Sequence, residues 1–222
     1  QATANGQTRA LVTADFNDPN LFWQWHYINN ADQAVATTSV AGADINVADA
    51  WKLTAGNPEV IVAIVDEGVK YTHPDLAANM WINPNPSPEY KNQDIHGWNF
   101  AADGPISWGQ KGDSGHGTHV AGTVAAVNNN GVGVCGVAGG TGRNDGVKLM
   151  SCQIFSGNDA TSGAITTSAE AIKYAADNGA VIIQCSFGSK AGTYTSDSAY
   201  ERGSGVQYNA IKYFIESQNC DA

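Results

Sequence analysis

Short apolar runs rich in β-branched residues alternate along the chain with segments of helical periodicity, and this alternation constrains the fold most strongly. The apolar runs cover residues 59–65, 147–155 and 180–185, and the helical patterns cover residues 116–128, 164–178 and 206–218. Such runs are typical of strands buried on both faces of a parallel sheet, whose neighbours are joined by helical crossovers. The sequence therefore predicts an α/β fold with a mostly parallel sheet and helices on both faces.

The chain length and charge narrow the class of protein further. The 222 residues suffice for one domain with a substantial core, and the formal net charge of −10 disfavours binding to nucleic acid. We find no apolar run of about eighteen residues, so the sequence predicts no membrane span. Residues 1–15 are predicted to be a tail or linker. Residues 81–111 are polar and rich in Pro, Asn and Gly, and predict a long excursion at one end of the sheet.

The four cysteines form no C-x-x-C pair, which argues against a structural zinc site. Three of them lie in apolar stretches, where buried free thiols are the expected state, although one disulfide remains open. They are Cys135, Cys152, Cys185 and Cys220.

Residues 113–123 read D-S-G-H-G-T-H-V-A-G-T and contain two histidines three residues apart. Three interpretations are open: His116 is a catalytic base, His116 and His119 are a metal pair, or the stretch is a glycine-rich helix start. Asp66 directly follows the first predicted strand, at the edge of a parallel sheet where ligands collect. A carboxylate there could orient a histidine base, as serine hydrolases require, although Asp-x-Gly is also common in turns.

Several motifs resemble the subtilisin-like (subtilase) serine peptidases in the order of that family. They are V-A-I-V-D-E-G-V at 62–69, H-P-D-L at 73–76, H-G-T-H-V-A-G-T at 116–123 and Q-C-S-F-G at 184–188. The resemblance implies that Asp66 is the orienting acid, His116 the general base and His119 a packed structural residue. A zinc pair is better served by the i, i+4 spacing of H-E-x-x-H. Residues 16–222 then correspond to the N-terminal part of a subtilase catalytic domain.

The same resemblance implies where an extended polypeptide substrate binds. Residues 186–188 resemble the family's edge segment, which pairs with the substrate main chain, and residues 162–165 resemble the opposing strand. Ordinary packing at strand ends is the alternative. The candidate substrate-binding residues are Ser162, Gly163, Ile165, Ser186, Phe187 and Gly188.

A structural Ca²⁺ site is also implied, because residues 127–138 resemble the calcium-binding loop of the family. Hard cations prefer carboxylate, amide and carbonyl oxygens. An extra residue in the loop leaves open which of three successive asparagines coordinates, and a metal-free glycine-rich turn is the alternative. The candidate ligands are the side chains of Asp18, Asp75 and Asn129 and the carbonyls of Val127, Val132 and Val134.

Two features depart from the family pattern. Glu67 stands where the family usually has Ser or Thr beside the catalytic acid. If the Glu67 carboxylate is close to Asp66 and buried, it would raise the pKa of Asp66, and if it points outward it would have little effect. The G-T-S-x-A segment of the nucleophile and the A-G-N segment of the oxyanion hole are both missing from the 222 residues. This chain alone is therefore expected to be inactive.

The expected function is that of a secreted or cell-envelope serine endopeptidase that acts on polypeptides and whose serine lies outside the given sequence. A non-catalytic subtilase-like binding or scaffolding domain is the alternative. A zinc hydrolase that uses His116 and His119 is a third reading, and we expect no zinc. We also expect an unpaired sheet edge, which would allow self-association or complementation by another fragment.

Overall fold

The structure is a computed structural model that describes residues 16–157 and 164–218. The described residues form a four-stranded parallel sheet in the order β2-β3-β1-β4. The strands are β1 (Ile61–Glu67), β2 (Gly97–Asn99), β3 (Lys148–Phe155) and β4 (Ile182–Cys185). The parallel α/β fold expected from the sequence is confirmed.

The α-helices of the described residues are α1 (Val47–Ala50), α2 (His116–Ala125), α3 (Ile165–Asp177), α4 (Asp197–Gly203) and α5 (Gly205–Ser217). Helix α2 lies on one face of the sheet, and α3 and α5 lie on the other. Alternate residues of β1 belong to opposite clusters, because successive side chains of a strand point to opposite faces. Val62 and Ile64 pack with Ala121 of α2, whereas Ala63 and Val65 share a cluster with residues of α3 and α5.

The strands differ from the sequence prediction most clearly at the end of β1 and in the presence of β2. Strand β1 continues through Asp66 and Glu67, and its pairing with β3 shifts register between these two residues. Strand β2 lies inside the polar stretch 81–111, for which the sequence predicts only an excursion from the sheet. Its three residues are too few to show a period, yet Trp98 is almost fully buried and the strand pairs with β3.

The helices also differ in detail from their sequence patterns. Helix α2 ends at Ala125, three residues earlier than predicted, and the short helix α4 was not predicted. The loop after α2 packs closely on its end, since a Cβ at Gly136 would lie 2.5 Å from the Cα atom of Ala125. Gly179 follows α3 with a φ of 81°, which confirms its expected role at a helix end.

Cysteine burial agrees with the prediction at two of the three described positions. Cys135 and Cys152 are buried free thiols, whereas Cys185 is exposed at the end of β4, so the expectation of burial was wrong there.

Strand β4 is the outermost strand on its side of the sheet and has no buried residue, whereas the interior of β1 is buried throughout. Within the described ranges no helix is long and apolar enough to cross a membrane. Residues 1–15 and Cys220 lie outside the described residues.

Candidate active site

Strand β1 carries Asp66 to the carboxyl edge of the sheet. The Asp66 side chain is only 2% exposed, and its Oδ1 accepts two hydrogen bonds of 2.7 Å, from the Glu67 backbone N–H and from Nδ1 of His116. Its Oδ2 is buried and has no hydrogen-bond partner among the described residues. This orphan oxygen is consistent with the absence of a Ser or Thr hydroxyl from position 67.

Helix α2 presents His116 as its first residue, directly after Gly115. Gly115 has a φ of 77°, a left-handed conformation that glycine adopts without a steric penalty. The helix start thereby lies over the end of β1, and the His116 side chain remains 47% exposed. The sequence thus places a buried acid and a half-exposed base in direct contact across 50 residues of chain.

The contact with Asp66 defines the chemistry of the His116 ring. Because a carboxylate only accepts, Nδ1 must carry the hydrogen of this bond, and Nε2 of the neutral ring is then the nitrogen that can take up a proton. The hydrogen bond to Asp66 raises the pKa of His116 from its ordinary 6.5, desolvation opposes that shift, and the charges of Asp66 and Glu67 add to it. This is the arrangement of an oriented general base.

The carboxylate of Glu67 turns toward the start of α2. It accepts a hydrogen bond of 2.9 Å from the His116 backbone N–H and bonds of 3.0 and 3.2 Å from the Ser114 hydroxyl. Neither orientation considered from the sequence describes this contact. The side chain would ordinarily point away from the α2 face, and the register shift at the end of β1 accompanies its turn toward α2.

His119 lies outside the contact between His116 and Asp66. It is exposed, so the expectation that it is packed was wrong, and it lines a cavity of about 440 Å³ together with His26 and His73. Partial burial and the nearby His119 both lower the pKa of His26. Among the described residues, no group of three His, Cys, Asp or Glu is arranged to hold a metal ion.

The segment after β4 lies at the open side of the sheet. Ser186 and Gly188 are exposed, and a Cβ at Gly188 would meet nothing within 4 Å. Phe187 is half-buried and its ring lies 5.7 Å from that of Phe155. Main-chain groups here are accessible, as pairing with an extended peptide requires.

The opposing substrate segment falls largely outside the described residues, which exclude Ser162 and Gly163. Ile165 is the first residue of α3 rather than part of a strand. The implied substrate roles of these residues stay predictions.

The candidate calcium site brings together two buried carboxylates from distant parts of the chain. Asp18 and Asp75 are 5% and 2% exposed. Burial raises the pKa of Asp75, and the nearby charge of Asp18 adds to that rise. Oδ2 of Asp18 accepts from the Asn129 N–H at 2.6 Å, while Oδ1 is buried without a partner among the described residues.

The loop after α2 wraps around Asp75. The carboxylate accepts hydrogen bonds from the Val134 N–H at 2.9 Å and from Nδ2 of Asn130 at 2.8 Å, and the Val127 N–H donates to the Asp75 carbonyl. The Val132 N–H donates to Oδ1 of Asn130. Thus Asn130 has its side chain beside Asp75, whereas the Asn129 side chain contacts Asn17 and Thr141.

Asp66 and His116, singled out from the sequence, lie in contact, but the sequence did not predict the contacts of Glu67 with α2 or of Asn130 with Asp75. The signal for Glu67 was its departure from the residue types usual in the family. For Asn130 the signal was only its place in a run of three asparagines.

The sequence of this chain also matches a known protein family. Residues 57–219 match the family of peptidases described as the subtilase family. The chain belongs to the subtilase family.

Three curated relatives illustrate the extent of the similarity. Halolysin of Haloferax mediterranei is 33% identical over 187 residues, which are 84% of this chain and 29% of halolysin. A thermophilic serine proteinase of Bacillus sp. is 30% identical over 200 residues, 87% of this chain and 44% of that protein. Thermitase of Thermoactinomyces vulgaris is 35% identical over 148 residues, 67% of this chain and 44% of thermitase. The matches therefore span less than half the length of each of these relatives.

Solved structures show the same fold. A protease of Pseudoalteromonas arctica is 26% identical with a TM-score of 0.57, and the match covers 91% of this subtilase chain and 56% of the protease chain. The serine protease of Aeromonas sobria in complex with its chaperone matches 95% of this chain and 31% of its own, with a TM-score of 0.67 and 22% identity. The second likeness concerns the fold alone.

Proposed function

We propose that this subtilase chain is the N-terminal part of the catalytic domain of a serine endopeptidase. In this proposal Asp66 orients the ring of His116, and His116 is the general base. The hydrogen bond of 2.7 Å between Nδ1 of His116 and the buried Asp66 carboxylate is the observation that carries the proposal. The exposure of the histidine matters equally, because a base must reach a nucleophile and a substrate.

The nucleophile in this proposal is a serine outside the 222 residues. Nε2 of His116 would take the serine proton as the hydroxyl oxygen attacks the scissile carbonyl, and it would return that proton to the leaving amine. The imidazolium formed in between is stabilised by Asp66, to which Nδ1 remains bonded. Without the serine and an oxyanion donor, the 222-residue chain should not cleave peptides at an enzymatic rate.

The proposed substrate is a polypeptide in extended conformation. The segment 186–188 continues from an outer strand, and its exposed main chain would add the substrate as a further strand. Binding of this type depends on main-chain hydrogen bonds and is tolerant of sequence. The outer edge of β4, which is unpaired among the described residues, supports complementation or self-association as a second proposed use.

We also propose a structural Ca²⁺ site between Asp18, Asp75 and the loop after α2. The fit rests on two buried carboxylates, an orphan oxygen on Asp18, and a loop that closes on Asp75. A Cβ at Gly133 would lie 2.2 Å from Oδ2 of Asp75, so the loop approaches the carboxylate as only glycine permits.

Carbonyls of the loop valines and the side chain of Asn130, rather than Asn129, would complete the proposed calcium site. A bound Ca²⁺ would neutralise the two buried carboxylates and tie the segment around Asp18 to the loop.

Secretion is proposed by analogy with its relatives. The Nep protease of Natrialba magadii, 31% identical over 152 residues, is described as extracellular.

Peptide hydrolysis by the complete gene product tests the proposed function. We expect the product to cleave an unfolded protein such as casein, and His116→Ala to reduce the rate by several orders of magnitude. His119→Ala is the matched control, since it removes an exposed histidine of the same helix that does not contact Asp66, and it should retain activity. Absence of hydrolysis by the folded product would instead favour the non-catalytic binding domain.

A further inference from the structure

The Glu67 side chain joins the end of β1 to the residues that open α2. Its Oε2 accepts from the His116 backbone N–H at 2.9 Å, and both carboxylate oxygens accept from the Ser114 hydroxyl. A longer contact of 3.4 Å runs from the Ser114 N–H to Oε1. The first N–H groups of a helix have no partner within the helix, so this carboxylate satisfies one of them from a different element.

The Glu67 backbone makes two further contacts at the same place. Its N–H donates to Oδ1 of Asp66, the oxygen that also receives Nδ1 of His116. Its carbonyl oxygen lies so close to α2 that a Cβ on Gly117 would be 2.1 Å from it. One residue thus donates to the acceptor oxygen of Asp66, accepts from the His116 N–H and lies against Gly117 on the other side of the His116 Cα.

We propose that Glu67 is a positioning residue, whose carboxylate holds the first turn of α2 so that the His116 ring stays in hydrogen-bonding distance of Asp66. This inference rests on the proposed function. It goes beyond that function because it assigns a role to the residue at which this chain departs from the usual pattern of its family. Such positioning matters in any active site, because catalytic groups lose much of their effect when they are displaced by about 1 Å.

Reach and charge are separable requirements at this position. Glu67→Gln keeps the side-chain length, and its amide can accept from the His116 N–H and donate to the Ser114 hydroxyl. Glu67→Asp keeps the charge but withdraws the carboxylate by one C–C bond, about 1.5 Å, which takes it out of hydrogen-bonding distance of the His116 N–H. A positioning role therefore predicts that Gln substitutes better than Asp.

The experiment measures kcat and KM of the complete gene product on a short chromogenic peptide, over a range of pH. Glu67→Gln should stay within about threefold of the wild-type kcat/KM, whereas Glu67→Asp and Glu67→Ala should lose about tenfold or more, through kcat. The acid limb of the Glu67→Gln profile should move to lower pH, because the Glu67 charge contributes to the raised pKa of His116. Glu59→Gln, the same change at an exposed residue just before β1, should alter neither value.

A second readout needs no nucleophile. The hydrogen-bonded Nδ1 proton of His116 should give a downfield ¹H resonance that persists in Glu67→Gln and Glu59→Gln and is lost or broadened in Glu67→Asp and Glu67→Ala. If the complete product is inactive, the proposed function fails, and this resonance alone decides the role of Glu67. The two failures are therefore distinguishable.

Two outcomes would overturn the inference. If Glu67→Asp matches the wild type while Glu67→Gln is impaired in kcat or in the resonance, the negative charge matters and the reach does not. If the variants instead raise KM, most strongly for peptides with a basic residue, and leave kcat and the resonance unchanged, Glu67 contacts the substrate.

Discussion

Replacing Gly117 by alanine should separate His116 from Asp66. A Cβ at this position would lie 2.1 Å from the Glu67 carbonyl oxygen and 2.7 Å from its carbonyl carbon, whereas real Cβ contacts begin near 3.0 Å. Both atoms belong to backbone, so no side chain can move aside. Helix α2 must therefore withdraw from β1 by roughly 0.9 Å or more to relieve the contact with the oxygen.

This displacement exceeds what the Asp66–His116 contact tolerates. A direct withdrawal of that size would lengthen the bond from 2.7 Å to roughly 3.6 Å, beyond hydrogen-bonding distance. We expect a loss of about 1–3 kcal/mol in the free energy of unfolding from overpacking. In the complete gene product kcat/KM should fall by about 100-fold.

Gly122→Ala is the matched control for this prediction. Gly122 lies in the same helix, and a Cβ there would meet nothing within 4 Å. The substitution should stabilise the protein by about 0.5–1 kcal/mol, because alanine favours the helix more than glycine does. Urea unfolding followed by tryptophan fluorescence measures both variants. A Gly117→Ala protein as stable and as active as Gly122→Ala would refute the close approach of α2 to β1.

Three further changes test other parts of the structure. Asp66→Asn should lower the pKa of His116 toward 6.5 in an NMR titration. The pKa of His116 is raised in the folded protein, so the stabilisation from this pair is fully present below pH 6.5. That stabilisation is lost as the pH rises through the folded-state pKa. Asp66→Asn should therefore destabilise the protein more in acid than in base. Added Ca²⁺ should raise the unfolding temperature, by an amount equivalent to about 2.7 kcal/mol when its concentration is 100 times the dissociation constant. Asp75→Asn should abolish this effect, whereas Asp49→Asn, at an exposed residue, should leave it unchanged. Cys185 should react with a thiol reagent in the native protein, while the two buried cysteines react only on unfolding. The reaction of Cys185 should be slow, because partial desolvation and the charge of Asp66 raise the pKa of its thiol to about 11.

The sequence was informative wherever a regular period or a local motif determines the structure. Apolar β-branched runs identified β1, β3 and β4, although β4 has no buried residue, and the strand-to-helix order identified the edge at which Asp66 and His116 meet. Strand β2 was missed because its pairing comes from tertiary contact with β3 rather than from its own composition. Short strands depend on their neighbours in this way.

The site details that escaped prediction depend on backbone geometry. In a regular strand Asp66 and Glu67 would point to opposite faces, but here the register shifts between them and both side chains reach α2. The difference between Asn129 and Asn130 depends on the turn of the loop, where Asn129 adopts a positive φ of 58°. Neither feature leaves a period in the sequence, so geometry rather than pattern decides which side chain reaches the site.

Fluorophosphonate labelling of the complete gene product, mapped by mass spectrometry, tests whether Asp66 and His116 activate a serine. We expect one labelled serine, outside residues 1–222, with loss of the label in His116→Ala and its retention in His119→Ala. Labelling of a serine within residues 1–222, or labelling that survives His116→Ala unchanged, would contradict the assignment of Asp66 and His116 as the acid and base of a serine peptidase.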